Sequence, residues 1–375
     1  METIILFGVF EAIAVTGLLM LKRKKTISDF ILMGFFLLNG LNIFLSFLEI
    51  YNRNNGFPYP AFILVSSPFL LLHGPALWLY VKSLTSQFFS FKPKYLIHLL
   101  PFLIMVANLA ITFYPLPANE RIEIFMSESF KNKIDYPIFI VMMTLSVFGY
   151  FTWSVRLIKK YNRRIRNYFS HTEKYDLQWL KIVMVLSAVT YTTIYGAFLF
   201  DLFRPLASFA IMHKISFMLG AIYIIVLGFF GHRQGNVFSD KHIAVNLKQN
   251  KPDSNEMPTL DNKDNTFIQK LLKFMDEVKP HLHQDINLAN LAKQLNVSPE
   301  YLSRILNTQL KKSFFDFINH YRIEEFKKRC HQPENKNLTL LAIATDCGFN
   351  SKATFNRVFK NITGSTPGQY MYKSQ

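Results

Sequence analysis

Two stretches of the chain, INLANLAKQLNVSPEYLSRILNTQ at Ile286–Gln309 and LTLLAIATDCGFNSKATFNRVFKN at Leu338–Asn361, follow one plan. In the first, Leu288, Leu291 and Ala292 form the inner face of a short helix, with Ala292 small where a second helix must come close. Asn296 falls at the tight turn, where it tolerates a left-handed backbone. Val297 plugs the core, and Ser298 is a natural N-cap with Pro299 at the first helical position. On the helix that follows, Leu302, Ile305 and Leu306 gather on one side. Glu300, Ser303, Arg304 and Asn307 gather on the other.

The second stretch repeats each part, with a turn one residue longer. Ala344 stands where Ala292 stood, Gly348 replaces Asn296, and Phe349 replaces Val297. Asn350 or Ser351 caps the next helix. Phe355, Val358 and Phe359 face inward, while Lys352, Ala353, Asn356, Arg357 and Lys360 face out. Between the copies, a helix over about Ser313–Arg329 carries Phe314, Phe317, Ile318, Tyr321 and Phe326. At about 1.5 Å per residue it spans roughly 25 Å, enough to hold two reading helices near one DNA turn apart, about 34 Å.

A pair of helical hairpins can also serve protein contact. Two copies with cations on both outward faces favour double-stranded DNA. Any one of these cations can meet a phosphate rather than a base.

The stretch ATDCGFNSKATFNRVFKNITGSTPGQY resembles the AraC-type (arabinose-regulator-like) transcription factors around their second helix-turn-helix motif. Small residue, Gly-Phe turn, Phe-x-Arg-x-Phe-Lys and Thr-Pro keep that family's order. The resemblance covers about the last 110 residues. It implies that outward residues of both recognition helices touch bases, here Ser303, Arg304, Asn356 and Arg357. Asn307, Lys352 and Lys360 complete the expected DNA-binding set. Glu300 departs from a cationic face. Two readings stay open for it, a contact to a cytosine amino group and a favourable charge at a helix N-terminus, the latter preferred. The family's usual soluble sugar-binding domain is absent, and the chain as a whole resembles membrane-anchored members with a multi-span N-terminal half.

Upstream, seven runs approach the roughly 20 apolar residues a bilayer core requires: Thr3–Leu21, Phe30–Ile50, Ala61–Val81, Tyr95–Tyr114, Tyr136–Ile158, Leu180–Phe203 and Phe209–Phe230. Cations crowd the loops after the first, third and fifth runs, with Lys22, Arg23, Lys24 and Lys25 after the first and Arg163, Arg164 and Arg166 after the fifth. The alternate loops are poor in them, so the positive-inside rule puts the N-terminus outside and the C-terminus in the cytoplasm. The basic cluster follows the first run rather than preceding it, which argues against a cleaved signal peptide.

Polar residues inside such runs are costly and usually face the bundle interior. Glu11 and His73 are candidates for an intramembrane signal site. Asp201, Arg204, His213 and Lys214 read as flanking a short external loop at the water interface. Lys214 lies too close to the outer surface for a retinal Schiff base.

The chain of 375 residues carries 42 Lys and Arg against 25 Asp and Glu, a net charge of +17. The C-terminal share of that excess suits a polyanion partner. Cys330 and Cys347 have no His or Cys at metal-ligand spacing, so no metal and no cofactor is expected. No catalytic motif stands out, and no enzyme activity is expected.

The expected fold is all-α: a seven-helix transmembrane bundle over 1–231, a flexible cytoplasmic linker over 232–265, and a domain with two helix-turn-helix motifs over 266–375. The expected function is a sequence-specific DNA-binding transcriptional regulator in the cell's inner (cytoplasmic) membrane, sensing an unidentified ligand or signal. Its expected partners are double-stranded DNA and the lipid bilayer, with homodimerisation open. The competing reading is a transporter or membrane enzyme with a DNA-binding feedback domain, which solute flux in proteoliposomes would reveal.

Overall fold

A computed structural model describes residues 2–86, 89–173, 177–232 and 262–373. The described residues form helices and turns, with one isolated bridge between Phe169 and Asn287. The chain divides into two compact units, the first made of Met1–Lys159 and Leu177–Asp240, the second of Lys160–Asp176 and Lys241–Gln375. Most of the expected 232–265 linker lies outside the described residues.

The first unit contains seven helical segments long and apolar enough to cross a membrane: Glu2–Leu21, Ile27–Asn54, Pro60–Thr85, Pro93–Thr112, Asp135–Arg166, Trp179–Asp201 and Phe209–Phe229. They overlap the seven runs read from the sequence, but the fifth continues to Arg166, so Arg163, Arg164 and Arg166, read as loop cations, lie on that helix. In chain order the helices are α1 (Glu2–Leu21), α2 (Ile27–Asn54), α3 (Leu70–Thr85), α4 (Leu100–Thr112), the short α5 (Ala118–Met126), α6 (Asp135–Arg166), α7 (Gln178–Asp201) and α8 (Phe209–His232). Short 3₁₀ turns at Ser67–Phe69 and Pro93–Leu99 lead into α3 and α4.

Helix α1 packs on α2 and α8. Small residues set these approaches, since a Cβ on Gly8 would stand 2.8 Å from Ala221 Cβ and one on Gly40 2.8 Å from Ala12 Cβ. Close backbone approach of this kind supplies dispersion contacts where lipid leaves no hydrophobic drive between helices. Phe10, Leu145 and Val189 stay more than half exposed on the outer surfaces of α1, α6 and α7.

In the second unit follow α9 (Asn262–Glu277), α10 (Leu288–Gln294), α11 (Pro299–Arg304, continued by a π-helical turn at Ile305–Gln309), α12 (Phe314–Cys330), α13 (Leu340–Asp346), α14 (Lys352–Thr363) and α15 (Pro367–Lys373). Helix α9 starts at Asn262, inside the stretch read as linker, and buries Phe267, Leu271 and Met275. Val278 lies one residue past the helix end and is exposed.

Each helix-turn-helix has its own core. Leu288, Leu291, Ala292, Leu302, Ile305 and Leu306 form the first, and Ile343, Ala344, Phe349, Phe355, Val358 and Phe359 the second. Helix α12 feeds both, sending Phe314, Phe317 and Ile318 into the first and Phe315, Ile323 and Phe326 into the second. A helix apolar on several faces is one that must be covered on several sides.

Candidate functional site

The two motifs are built by local backbone chemistry. Asn296 has φ 59° and Gly348 φ 94°, so each turn passes through the left-handed region. Ser298 Oγ accepts the Tyr301 N–H at 3.1 Å and caps α11; Ser351 Oγ accepts the Thr354 N–H at 3.2 Å and caps α14. Of the two capping candidates for α14, Ser351 does the work. Such caps satisfy donors that the first helical turn leaves without partners.

On α14, Lys352, Asn356, Arg357 and Lys360 are all exposed and line one shallow groove, with Thr339 and Leu341 on its other side. Four expected DNA contacts are therefore brought together. On α11 the result differs. Ser303 is half-buried, and Asn307 is exposed but turns its amide back to Ser303 O at 2.8 Å.

Arg304 is engaged within the protein. Its two terminal nitrogens donate to Asp264 Oδ2 at 3.0 Å and Oδ1 at 2.9 Å. Tyr301 Oη adds a third hydrogen bond to the same carboxylate at 2.9 Å, and the guanidinium lies 5.1 Å from the Tyr301 ring centre. The hydrogen bonds from Arg304 hold the Asp264 carboxyl below its ordinary range, and those same bonds raise the Arg304 guanidinium. Asp264 sits in the first turn of α9, within the stretch read as linker, so the sequence offered no signal for the pair.

A second unexpected element is the segment leaving α6. Tyr168 O accepts the Leu288 N–H at 2.9 Å, and Ser170 Oγ donates to Ile286 O at 2.6 Å. Asn319 Nδ2 donates to Ser170 O at 3.1 Å. Arg166, read as part of a topology signal, pairs with Asp316 at 2.5 Å and covers the Phe315 ring at 4.9 Å. Glu173 then reaches the N-terminus of α14. Ser351 Oγ donates to its Oε1 at 2.5 Å, and Thr354 Oγ1 donates to the same atom. Burial works against the charge on Glu173, but these two hydrogen bonds, with His171 and Arg357 nearby, hold its carboxyl below the usual range.

Arg322 ties the two motifs together from the middle of α12. It is 1% exposed and donates to His281 O at 2.8 Å, His283 O at 2.9 Å and Asn319 Oδ1 at 3.3 Å. Burial lowers its guanidinium to about 10.

In the first unit, Glu11 and His73 do not share a site. His73 is buried on the wall of a cavity of about 130 Å³, with Tyr191 Oη 3.2 Å from its Nδ1. Glu11 is not on that wall; it packs against Gly228 of α8. Of the residues read as interfacial, Arg204 is exposed and Lys214 half-buried, whereas Asp201 and His213 are buried. Asp201 is held by Lys131 at 3.1 Å, and His213 stands 3.3 Å from Glu49 Oε2, both acids being buried. Glu49 and Lys131 lie far from these partners along the chain, and no spacing pairs them.

A family model described as a helix-turn-helix domain matches residues 291–373. An uncharacterised helix-turn-helix-type transcriptional regulator of Staphylococcus aureus strain COL is 34% identical over 101 residues, which is 27% of this chain and 13% of that relative. The regulatory protein SoxS of Escherichia coli is 30% identical over 107 residues, 28% of this chain and 94% of SoxS. The match thus spans about 13% of the length of the staphylococcal relatives but nearly all of SoxS. No solved structure matches the chain significantly. Through its C-terminal domain, with two capped helix-turn-helix motifs sharing one central helix, the chain belongs to the AraC-type helix-turn-helix family.

Proposed function

We propose that this protein is a membrane-anchored, sequence-specific DNA-binding transcriptional regulator. Its seven-helix unit lies in the cytoplasmic membrane and senses a signal, and its C-terminal unit reads DNA from the cytoplasmic side. The observation that carries the reading is the exposed row Lys352, Asn356, Arg357 and Lys360 on α14, in a chain that also holds seven membrane-length apolar helices. The row offers cations for phosphates and an Asn–Arg pair for base edges, the division of labour of a recognition helix in a major groove. The relatives, transcriptional regulators in Staphylococcus aureus and a regulatory protein in Escherichia coli, agree with it.

The first motif contributes more by position than by free charge. Ser303 and Asn307 remain candidates for base or phosphate contact, whereas Arg304 must leave Asp264 to touch DNA. Two reading heads in one chain let a single copy cover about one helical turn, so dimerisation is not required for a full site.

The test is genomic footprinting with the full chain in lipid nanodiscs, beside chromatin pull-down of the tagged protein. The expected result is a protected site whose affinity falls steeply with salt and disappears when Lys352, Arg357 and Lys360 are together replaced by Ala. An unchanged footprint in that variant overturns the reading.

A further inference from the structure

The seven-helix unit carries a cavity whose wall chemistry is unusual for a mere packing defect. Five buried polar atoms, Asn42 Oδ1, Ser66 Oγ, His73 Nε2, Tyr136 Oη and Tyr195 Oη, belong to residues on its wall and have no hydrogen-bond partner in the protein. Atoms left unsatisfied in this way are costly, and native proteins keep few of them. Two are aimed by their own residue's other polar atom. Asn42 Nδ2 donates to Ser66 O at 2.7 Å, and His73 Nδ1 lies 3.2 Å from Tyr191 Oη. Asn42 and His73 are thus each held through one polar atom and unsatisfied at the other.

We infer that this cavity is the binding site of a small, uncharged, ring-sized amphiphile that reaches it from the non-cytoplasmic side. Size comes first. A cavity of about 130 Å³ is close to one of ~150 Å³ that takes up benzene, so one ring with one or two polar substituents fills it.

Chemistry comes next. Tyr191 and Tyr195 stack at 5.7 Å with planes 10° apart, and Phe139, Phe198 and Phe217 complete an aromatic lining. The five unsatisfied atoms are an amide oxygen, an imidazole nitrogen and three hydroxyls. They offer acceptors and donors but no counter-charge. Glu49 is engaged with the Ser66 N–H at 2.7 Å and Asp201 with Lys131 at 3.1 Å. The two ions on the wall, Lys133 and Asp135, are of opposite sign and two residues apart, so together they offer no net charge to compensate a charged ligand, and burying one uncompensated is expensive.

Location comes last. Ser66 lies in the first half of the third span and His73 at its middle, Tyr191 and Tyr195 in the second half of the sixth, and Phe209 and His213 in the first half of the seventh. Because successive spans alternate in direction, these halves lie on one side, which the loop cations assign to the outside. Lys133 and Asp135 at the outer start of α6 also border the cavity.

The inference rests on reading this unit as a membrane-embedded sensor, so its test is read without DNA. The full chain in lipid nanodiscs is titrated calorimetrically with phenol, benzene and benzoate. Phenol is expected to bind, benzene about tenfold more weakly, one hydrogen bond being worth about that factor, and benzoate not measurably. Tyr195→Phe removes a hydroxyl with no partner in the protein, so the unliganded fold keeps its melting temperature while phenol binds about tenfold more weakly.

Ile140→Trp, which fills the cavity from α6, abolishes phenol binding. Circular dichroism identifies a variant that fails to fold, and Tyr195→Phe then decides alone. Phenol failing to bind the wild type, or binding it no better than Tyr195→Phe, overturns the inference and leaves a cavity filled by water. Phenol binding as expected, with no DNA site found by footprinting, sustains the cavity and overturns the regulator reading instead.

Discussion

Glu173 Oε1 accepts a hydrogen bond from Ser351 Oγ at 2.5 Å, and Ser351 is the N-cap of the second reading helix. The positive end of a helix is where a nucleic-acid phosphate also docks, and Arg357, six residues further along, contributes to holding this carboxylate ionised. On the proposed reading, Glu173 competes with the DNA backbone for the same donors. Glu173→Ala is expected to raise the affinity of the full chain for its site by about five- to tenfold, a shift near 1 kcal/mol of the size that charges at helix ends produce. Glu173→Gln, which keeps an acceptor but no charge, should fall between. Fluorescence anisotropy with labelled site DNA measures both, and an unchanged or lowered affinity in Glu173→Ala excludes competition.

Arg304 and Arg357 occupy comparable faces of their helices, yet only Arg304 has a carboxylate gripping both terminal nitrogens. Arg304→Ala leaves Asp264, which is 4% exposed, with Tyr301 alone as partner. A stability loss of about 1–3 kcal/mol follows from breaking charge-assisted bonds to a covered group. Arg357→Ala should change stability by less than about 0.5 kcal/mol and reduce the slope of log affinity against log salt by about 1. Urea midpoints and anisotropy at two salt concentrations separate the two. Equal stability losses would mean that Arg357 has an internal role of its own.

That contrast marks the limit of what a linear pattern carries. Asn296, Ser298, Gly348 and Ser351 were legible because turns and caps are decided within three or four residues. The inward faces of α11 and α14 were legible because periodicity separates covered from exposed positions. The partner of Arg304 lies forty residues upstream, in a stretch whose polar composition reads as tether. Glu173 lies in another part of the chain altogether, after a basic run that serves equally well as a topology signal. The seven apolar helices were evident from length and composition. Which of their polar atoms converge was not, because Asn42, His73 and Tyr195 meet only through packing.

Acid should loosen the C-terminal unit in two stages. Burial, the dominant cause, lowers His281 to about 4 from 6.5, so the unfolded chain binds its proton more readily than the folded one. Stability is then lost as pH falls from about 6.5 towards 4. Asp264 and Glu325 have carboxyls held below their ordinary range, Asp264 chiefly by its hydrogen bonds from Arg304 and Glu325, against its own burial, by those from Arg329 and Lys279. Their contribution is complete above the unfolded range, near pH 4–5, and disappears below it. Pulse-proteolysis midpoints in urea, taken from pH 7 to pH 3, should therefore fall in two steps. His281→Phe should shrink the upper step, to which His320, also lowered chiefly by burial, contributes as well, and leave the lower one. A single step below pH 4 in the wild type would show that His281 does not titrate with unfolding.

Gly348 joins backbone geometry to the buried arginine. At φ 94° it adopts a conformation that a side chain strains, and a Cβ there would stand 2.7 Å from His281 O and 2.9 Å from Arg322 Nε. Arg322 cannot yield easily, since its carbonyl partners at His281 and His283 are what make its burial tolerable. Gly348→Ala should thus cost more than the roughly 1–3 kcal/mol of backbone strain alone, whereas Ala at Gly364, also at positive φ (77°) but with open space around it, should cost only the strain. Urea unfolding of both variants, followed by proteolysis of the C-terminal unit, tests the difference. Equal costs at the two glycines would show that the Arg322 network accommodates the methyl group, and that strain alone selects glycine at this turn.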